Sequence, residues 1–148
     1  CGDPSTAFAF LRAFSVNATD HFYTTNVGEM VSAINGLGYD LERIPGYIFP
    51  VKESLTVPLY RLNKAVTGDH FYTTSASEVK AAIGDGYTYE GISGYVYTDS
   101  TCGGVPLYRL YNAIVVDHFY TEVATERDIA IEKLNYNDEG VAAYILPV

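Results

Sequence analysis

The spacing of apolar and polar residues changes in a fixed order along the chain. Residues 105–111 are rich in β-formers, and a short turn joins them to a second aromatic run, which predicts a hairpin. In the preceding part of the chain, Val79, Ala82 and Ile83 recur at helical spacing, and residues 91–97 form a further β run with glycines. The pattern predicts the order strand, strand, short helix, strand.

One five-residue phrase, Asp-His-Phe-Tyr-Thr, occurs three times. It starts at Asp20, Asp69 and Asp117 and contains all three histidines, which are spaced 70 − 21 = 49 and 118 − 70 = 48 residues apart. Self-similarity at this period is typical of closed rings, propellers and stacked arrays. The chain is therefore predicted to be a single domain, 1–148, of three repeats at about 7–50, 56–98 and 104–148.

The predicted fold class is a β-rich α+β fold. Copies of about 48 residues are each near the size at which a lone core is marginal, so the three are expected to share one core. We expect the pseudo-threefold repeats to close into one compact ring or small propeller-like domain. A β-trefoil is the alternative, which the helical segments disfavour.

The helix ends carry their own signals. Capping boxes at residues 26–29 and 75–78 predict helix starts, and they assign Glu29 and Glu78 as caps. The residues predicted to end the helices in a left-handed conformation are Gly38, Gly86 and Asn135.

Composition narrows the class of partner. A net charge of −9 argues against nucleic acid, because that affinity comes mainly from lysine and arginine. No apolar run approaches the roughly 18 residues that span a bilayer, so no membrane span is predicted. Fourteen tyrosines and no tryptophan favour polar ligands, because each tyrosine joins an apolar ring to a hydroxyl.

Three features favour an extracellular protein. The chain begins at Cys1 without a methionine, as a processed secretory protein would, although a tag scar is an alternative. Cys1 and Cys102 are a candidate disulfide, with two free thiols in a cytosolic protein or a lipid-modified Cys1 as alternatives. Asn17 stands in the single N-x-[ST] sequon and is a candidate glycosylation site at a predicted turn.

The repeated phrase supplies the candidate ligand site. In a regular strand its phenylalanine faces the core, so histidine and tyrosine are expected on the opposite, more polar face. Tyrosine would stack on a sugar while histidine, aspartate or arginine bridges the hydroxyls. The candidate sugar-binding residues are Asp20, His21, Tyr23, Arg61, Asp69, His70, Tyr72, Glu90, Arg109, Asp117, His118, Tyr120 and Glu139.

The alternative interpretation of the same residues is structural. It comprises a hydrogen-bonded histidine, a tyrosine bound to backbone, and buried ion pairs, since charges in a small core must be paired. The predicted pairs are Arg12 with Glu42, Arg61 with Glu90, and Arg109 with Glu139.

Two catalytic alternatives are disfavoured. Three histidines about 48 residues apart lack any local spacing for a zinc site. A hydrolase with a histidine base and a glutamate acid conflicts with the triplication, because active sites are normally single and asymmetric. No catalytic residue, metal or cofactor is therefore predicted.

The phrases at residues 57–62, 68–74 and 89–95 resemble a secreted repeat family of unknown function built on L-Y-R-L, D-H-F-Y-T-T and Y-E-G-I-x-G-Y. Its members occur as small fungal secreted proteins and as modules on bacterial wall- or polysaccharide-degrading enzymes. The resemblance implies carbohydrate attachment more than catalysis. The first copy departs from the motif, with Leu11 in place of the strand tyrosine, so the second copy is expected to be the most competent.

The sequence thus predicts a secreted, non-enzymatic, lectin-like protein with up to three quasi-equivalent sugar sites. Galactose-type or cell-wall glycans, or glycoproteins that carry them, are the expected partners. A structural or immunomodulatory secreted protein is the alternative, and a polysaccharide hydrolase is a more remote one.

Overall fold

A computed structural model describes all 148 residues as nine strands, three short α-helices and one 3₁₀ turn. In chain order these are the 3₁₀ turn (Pro4–Thr6), β1 (Phe8–Ser15), β2 (Asp20–Thr24), α1 (Val27–Gly36), β3 (Asp40–Ile48), β4 (Thr56–Asn63), β5 (His70–Thr73), α2 (Ala76–Gly84), β6 (Thr88–Tyr97), β7 (Val105–Asn112), β8 (Asp117–Thr121), α3 (Ala124–Lys133) and β9 (Asn137–Ile145). The order strand, strand, helix, strand thus occurs three times, and we call these stretches segments one (8–48), two (56–97) and three (105–145).

The strands form two antiparallel sheets. The smaller has the order β2-β1-β3, and the larger has the order β5-β4-β6-β9-β7-β8. Two isolated bridges, Tyr47 with Leu146 and Phe49 with Tyr95, connect segment one to the larger sheet. The predicted β-rich class is confirmed, but both sheets are open and neither closes into the barrel that a trefoil requires.

The shared core predicted from the length of the copies is confirmed. Ten buried residues drawn from all three segments pack in its centre, with Phe10, Leu59 and Leu107 contributed by the first strand of each segment. Smaller clusters lie under each helix, such as Phe22, Met30 and their neighbours under α1. Because the central cluster is built jointly, no segment holds a complete core of its own.

The helix ends only partly match their sequence signals. The Asn26 side chain accepts a hydrogen bond from the Glu29 backbone N–H, as a cap should. The reciprocal bond is absent, because the Asn26 N–H donates to Thr24 Oγ1 instead. Ser75 and Glu78 behave in the same way. The assignment of the Glu29 and Glu78 side chains as caps is therefore wrong, and both carboxylates are free to pair elsewhere.

The predicted disulfide attaches the amino end of the chain to the fold. A disulfide joins Cys1 to Cys102, which lies in the loop between β6 and β7, with a Cα–Cα distance of 5.6 Å. The Gly2 N–H donates to the hydroxyl of buried Tyr97 beside it. Asn17 is exposed in the turn between β1 and β2, and its glycosylation stays a prediction. No helix is long and apolar enough to cross a membrane.

Candidate functional site

The tyrosines of the repeated phrase lie at the centre of the protein. Tyr23, Tyr72 and Tyr120 are 0–1% exposed, so the expectation that they face a polar surface is wrong. Both faces of β2 are buried, one against the shared core and one against α1, so alternation along the strand does not separate a wet face from a dry one. These rings cannot stack on a ligand from solvent.

The same tyrosines form a closed hydrogen-bond cycle. The Tyr72 hydroxyl donates to the Tyr23 carbonyl at 2.6 Å and accepts from the Tyr23 N–H at 2.8 Å. The Tyr120 hydroxyl makes the same two bonds to the Tyr72 backbone, and the Tyr23 hydroxyl makes them to the Tyr120 backbone. Burial raises the pKa of all three hydroxyls well above the ordinary value, so they remain neutral donors. Their role is structural.

The aspartates of the phrase are fully buried and saturated with hydrogen bonds. The Asp20 carboxylate accepts from the His70 backbone N–H at 2.8 Å, from His70 Nδ1 at 2.6 Å and from the Tyr39 hydroxyl at 2.6 Å. The equivalent sets are Asp69 with His118 and Tyr87, and Asp117 with His21 and Tyr136. Asp20, Asp69 and Asp117 are 0% exposed, so the carboxylates that were expected to bind a sugar are sealed from solvent.

Carboxylate oxygens of the three aspartates lie within 4.8 Å of one another. Both oxygens of each are already used by protein donors, so we assign no metal to this cluster. Burial raises the pKa of Asp20, an effect opposed by its hydrogen bonds to His70 and Tyr39. Each aspartate therefore serves to hold the histidine of another segment.

These bonds fix how each histidine is presented. Because a carboxylate accepts but does not donate, the proton of a neutral His21 ring is assigned to Nδ1, which bonds Asp117. Nε2 then carries a free lone pair, 3.6 Å from Glu42 Oε1. His118 Nε2 lies 3.6 Å from Glu139, and His70 Nε2 lies 3.8 Å from Glu90. In the neutral form, His21 and His118 thus offer an acceptor next to a carboxylate, whereas His70 Nε2 already lies 3.5 Å from Asn63 Nδ2.

The predicted ion pairs are confirmed. Arg12 with Glu42, Arg61 with Glu90 and Arg109 with Glu139 each have an Nε–Oε1 distance of 3.0 Å. Each arginine also makes a bidentate pair with a helix glutamate from another segment: Arg12 with Glu126, Arg61 with Glu29, and Arg109 with Glu78. The sequence showed these glutamates eight residues after each histidine but gave no sign that they pair across segments.

Pairing stabilises the charged forms of these arginines and glutamates. Pairing with Arg61 lowers the pKa of Glu29, and pairing with Arg109 lowers that of Glu78. Burial acts to lower the pKa of Arg61, but its contacts with Glu29 and Glu90 outweigh this and raise it. One arginine against two glutamates leaves an excess of negative charge beside each histidine.

Three clefts lie where segments meet. We name each by its histidine, and their volumes are about 780 Å³ for the His21 cleft, 270 Å³ for the His118 cleft and 230 Å³ for the His70 cleft. Each is lined by the histidine and a glutamate from one segment, and by a phenylalanine, a tyrosine and a helix from another; the glutamates are Glu42, Glu139 and Glu90 in the order above. The sequence assigned one site to each copy, but each cleft is built from two segments. No motif within a single copy shows this.

The phenylalanine of each phrase forms the wall between arginine and histidine. The Phe119 ring lies 4.5 Å from the His21 ring and 5.1 Å from Arg12 Cζ. Phe22 lies likewise between Arg61 and His70. Arginine and histidine are therefore held by an aromatic ring that belongs to a different segment.

The strand residue opposite each histidine differs between clefts and was missed from sequence. The Phe14 ring lies 4.5 Å from His21, the Tyr111 ring lies 4.4 Å from His118, and Asn63 lies beside His70. Leu11, by contrast, packs against the cluster under α1 and lines none of the three clefts. Its presence therefore gives no reason for weaker binding by segment one.

The model of one protein family, described as a domain of unknown function (DUF5648), matches residues 9–146. No curated protein and no solved structure matches the chain.

Proposed function

The chain belongs to the domain family whose model covers residues 9–146, and from the geometry of its clefts we propose that it is a secreted, non-catalytic carbohydrate-binding protein. The observation that carries this proposal is the orientation of the histidines. A buried aspartate occupies Nδ1 of each ring, so Nε2 is the ring atom that faces the cleft beside a glutamate, and in the neutral ring it is an acceptor. Fixed acceptors of this kind suit the hydroxyl donors of a sugar.

Aromatic rings complete the proposed sites. Phe14 in the His21 cleft and Tyr111 in the His118 cleft offer a surface for the apolar face of a pyranose. Asn63 stands at this position beside His70, but it does not line the His70 cleft and its amide nitrogen donates to the Gly68 and Asp69 carbonyls, so this cleft has no equivalent ring. We propose galactose-type or cell-wall glycans as ligands, because axial and equatorial hydroxyls can meet Nε2 and the glutamate together.

We further propose that the segments are related by a pseudo-threefold axis through the tyrosine cycle. The cyclic order of the aspartate–histidine bonds supports this arrangement. Three similar sites on one chain favour multivalent attachment, which raises apparent affinity by roughly 10² to 10⁴ when a ligand spans them. The disulfide favours secretion, because such bonds persist in oxidising compartments.

The test combines a glycan array with a variant that spares the fold. Changing Glu42, Glu90 and Glu139 together to glutamine removes the charged acceptor beside each histidine and keeps an oxygen for arginine. Hydrogen bonds to charged groups are about twice as strong as neutral ones, so each site is expected to lose about tenfold in affinity. Glu132→Gln, at an exposed position on α3, is the matched control.

The proposal requires that the folded wild type bind at least one glycan and that a free sugar compete. It also requires unchanged circular dichroism in the triple variant, so that lost binding reflects the site. A folded protein that binds no glycan would reject the carbohydrate function and favour the structural or immunomodulatory alternative. The sealed tyrosine cycle already shows that part of the repeated phrase serves the fold alone.

A further inference from the structure

The three clefts differ in size and chemistry. The His21 cleft, at about 780 Å³, has about three times the volume of either of the others and lies within the range of small-molecule sites. Eight hydrophobic residues line it, against five in the His118 cleft and four in the His70 cleft. The cleft is therefore larger than a single sugar ring needs, and the additional surface is apolar.

The apolar surface comes from segment three. Ile129 on α3 stands where α1 has Ser32 and α2 has Ala81, counting three residues after the paired glutamates. Leu134 and Val115 lie on the same wall. All three keep much of their surface in solvent, with 50% of Ile129, 53% of Leu134 and 38% of Val115 exposed. They form a partly exposed apolar wall. Leu37 lines the His70 cleft at the position of Leu134, so Ile129 and Val115 are the apolar residues that the other two clefts lack.

A difference at one further position keeps this cleft open. In the His118 cleft the Lys64 ammonium lies over the Tyr87 ring at 5.4 Å. The corresponding residue in the His21 cleft is Asn112, which turns its amide to the Leu134 carbonyl at 3.0 Å and to the Ile114 N–H. No side chain comparable to Lys64 therefore covers Tyr136.

Polar groups are continuous with the apolar wall. His21 Nε2 and Glu42 lie in the same cleft as Phe14 and Ile129. A neutral sugar head would satisfy the acceptors, and only an attached apolar group would remove the wall from water. A peptide segment with apolar side chains would also cover the wall, but it would offer few hydrogen-bond donors to His21 and Glu42.

We propose that the His21 cleft binds a glycoside with an apolar aglycone, such as an alkyl glycoside or the head and first chain carbons of a glycolipid. The sugar head lies against His21 and Glu42, and the apolar group lies along Val115, Ile129 and Leu134. This inference rests on the proposed carbohydrate function and adds the class of ligand for one of its sites.

The experiment compares methyl and octyl β-galactoside, and a second pair of β-glucosides, by calorimetry on the whole protein below the micelle concentration. Burial of part of the chain is expected to make the octyl glycoside bind at least about tenfold more tightly than the methyl one. Ile129→Ser, which installs the residue of α1, is expected to reduce that ratio to about threefold or less. Ile83→Ser is the matched control, because Ile83 is also 50% exposed but lines no cleft.

A second readout locates the ligand. With labelled isoleucine methyl groups, the octyl glycoside should shift the Ile129 signal and leave the Ile83 signal in place. Ser32→Ile provides a gain-of-function test, since it is expected to increase alkyl dependence in the His70 cleft.

Each failure has a different meaning. Equal affinities for methyl and octyl glycosides would overturn the inference and leave the sugar site intact. Binding of 1-octanol as strong as that of octyl galactoside would show that the sugar head contributes nothing, and would favour an apolar partner such as a peptide side chain. If none of these probes binds while the glycan array is positive, the aglycone inference fails and the carbohydrate function stands.

Discussion

Tyr72→Phe tests whether the tyrosine cycle stabilises the fold. The change removes one hydroxyl and keeps the ring, so the apolar packing of the core is preserved. It leaves the Tyr23 N–H and the Tyr23 carbonyl, both buried, without their partner. Each unpaired buried group costs about 1–3 kcal/mol, so the free energy of unfolding is expected to fall by roughly 2–6 kcal/mol. That is a large share of the 5–15 kcal/mol that stabilises a typical domain.

Urea denaturation followed by fluorescence or circular dichroism measures this loss. Tyr89→Phe serves as the control, because Tyr89 is 44% exposed, and its change should stay within about 0.5 kcal/mol. The slope of the transition should be the same in both variants, since the surface exposed on unfolding is unchanged. A loss below about 1 kcal/mol for Tyr72→Phe would refute the reasoning, because water or backbone movement would then have satisfied the orphaned groups.

Three other perturbations probe the scaffold. Replacing Cys1 and Cys102 with serine should lower stability by up to about 4–5 kcal/mol in urea denaturation against the oxidised wild type, because the bond closes a loop of about 100 residues, and the reduced wild type should match the variant. Acid should destabilise the fold: the folded pKa of Glu29 lies below its ordinary 4.5, so its contribution is present above that pH and is lost as pH falls through the lower value. The melting temperature should therefore fall as the pH is lowered from about 5 to 3. It should fall less steeply in Glu29→Gln. An equally steep fall in both proteins would contradict this cause. Gly86→Ala, at φ 92°, should cost about 1 kcal/mol, whereas Gly84→Ala, at the helix end with open space, should be neutral or slightly stabilising in the same thermal assay.

The local elements were predictable from sequence because their signals are local. Period and turn chemistry gave the hairpins and helices, and Gly38, Gly86 and Asn135 have the left-handed conformation that their residue types favour. The pairing of Arg61 with Glu90 was also accessible, because both residues belong to one copy. The Cys1–Cys102 bond followed from there being only two cysteines.

Contacts between copies were not predictable in the same way. The face that Tyr72 takes depends on what packs against both sides of its strand, and alternation along one strand does not encode that. The spacing of Glu29 indicates only a cap at its own helix, and the arrangement of the segments is what pairs it with Arg61. The composite clefts follow from the same arrangement.

Each aspartate of the repeated phrase bonds the histidine of another segment, and this limits how the chain can be divided into fragments. In an excised segment, the aspartate would lack the imidazole that it bonds in the whole chain, and the histidine would lack the aspartate that orients its ring. It could restore both only by associating with two further copies of itself in a ring. Under the proposed pseudo-threefold arrangement the chain corresponds to a trimer whose subunits are joined end to end, and a one-copy fragment is expected to regain structure only as a homotrimer.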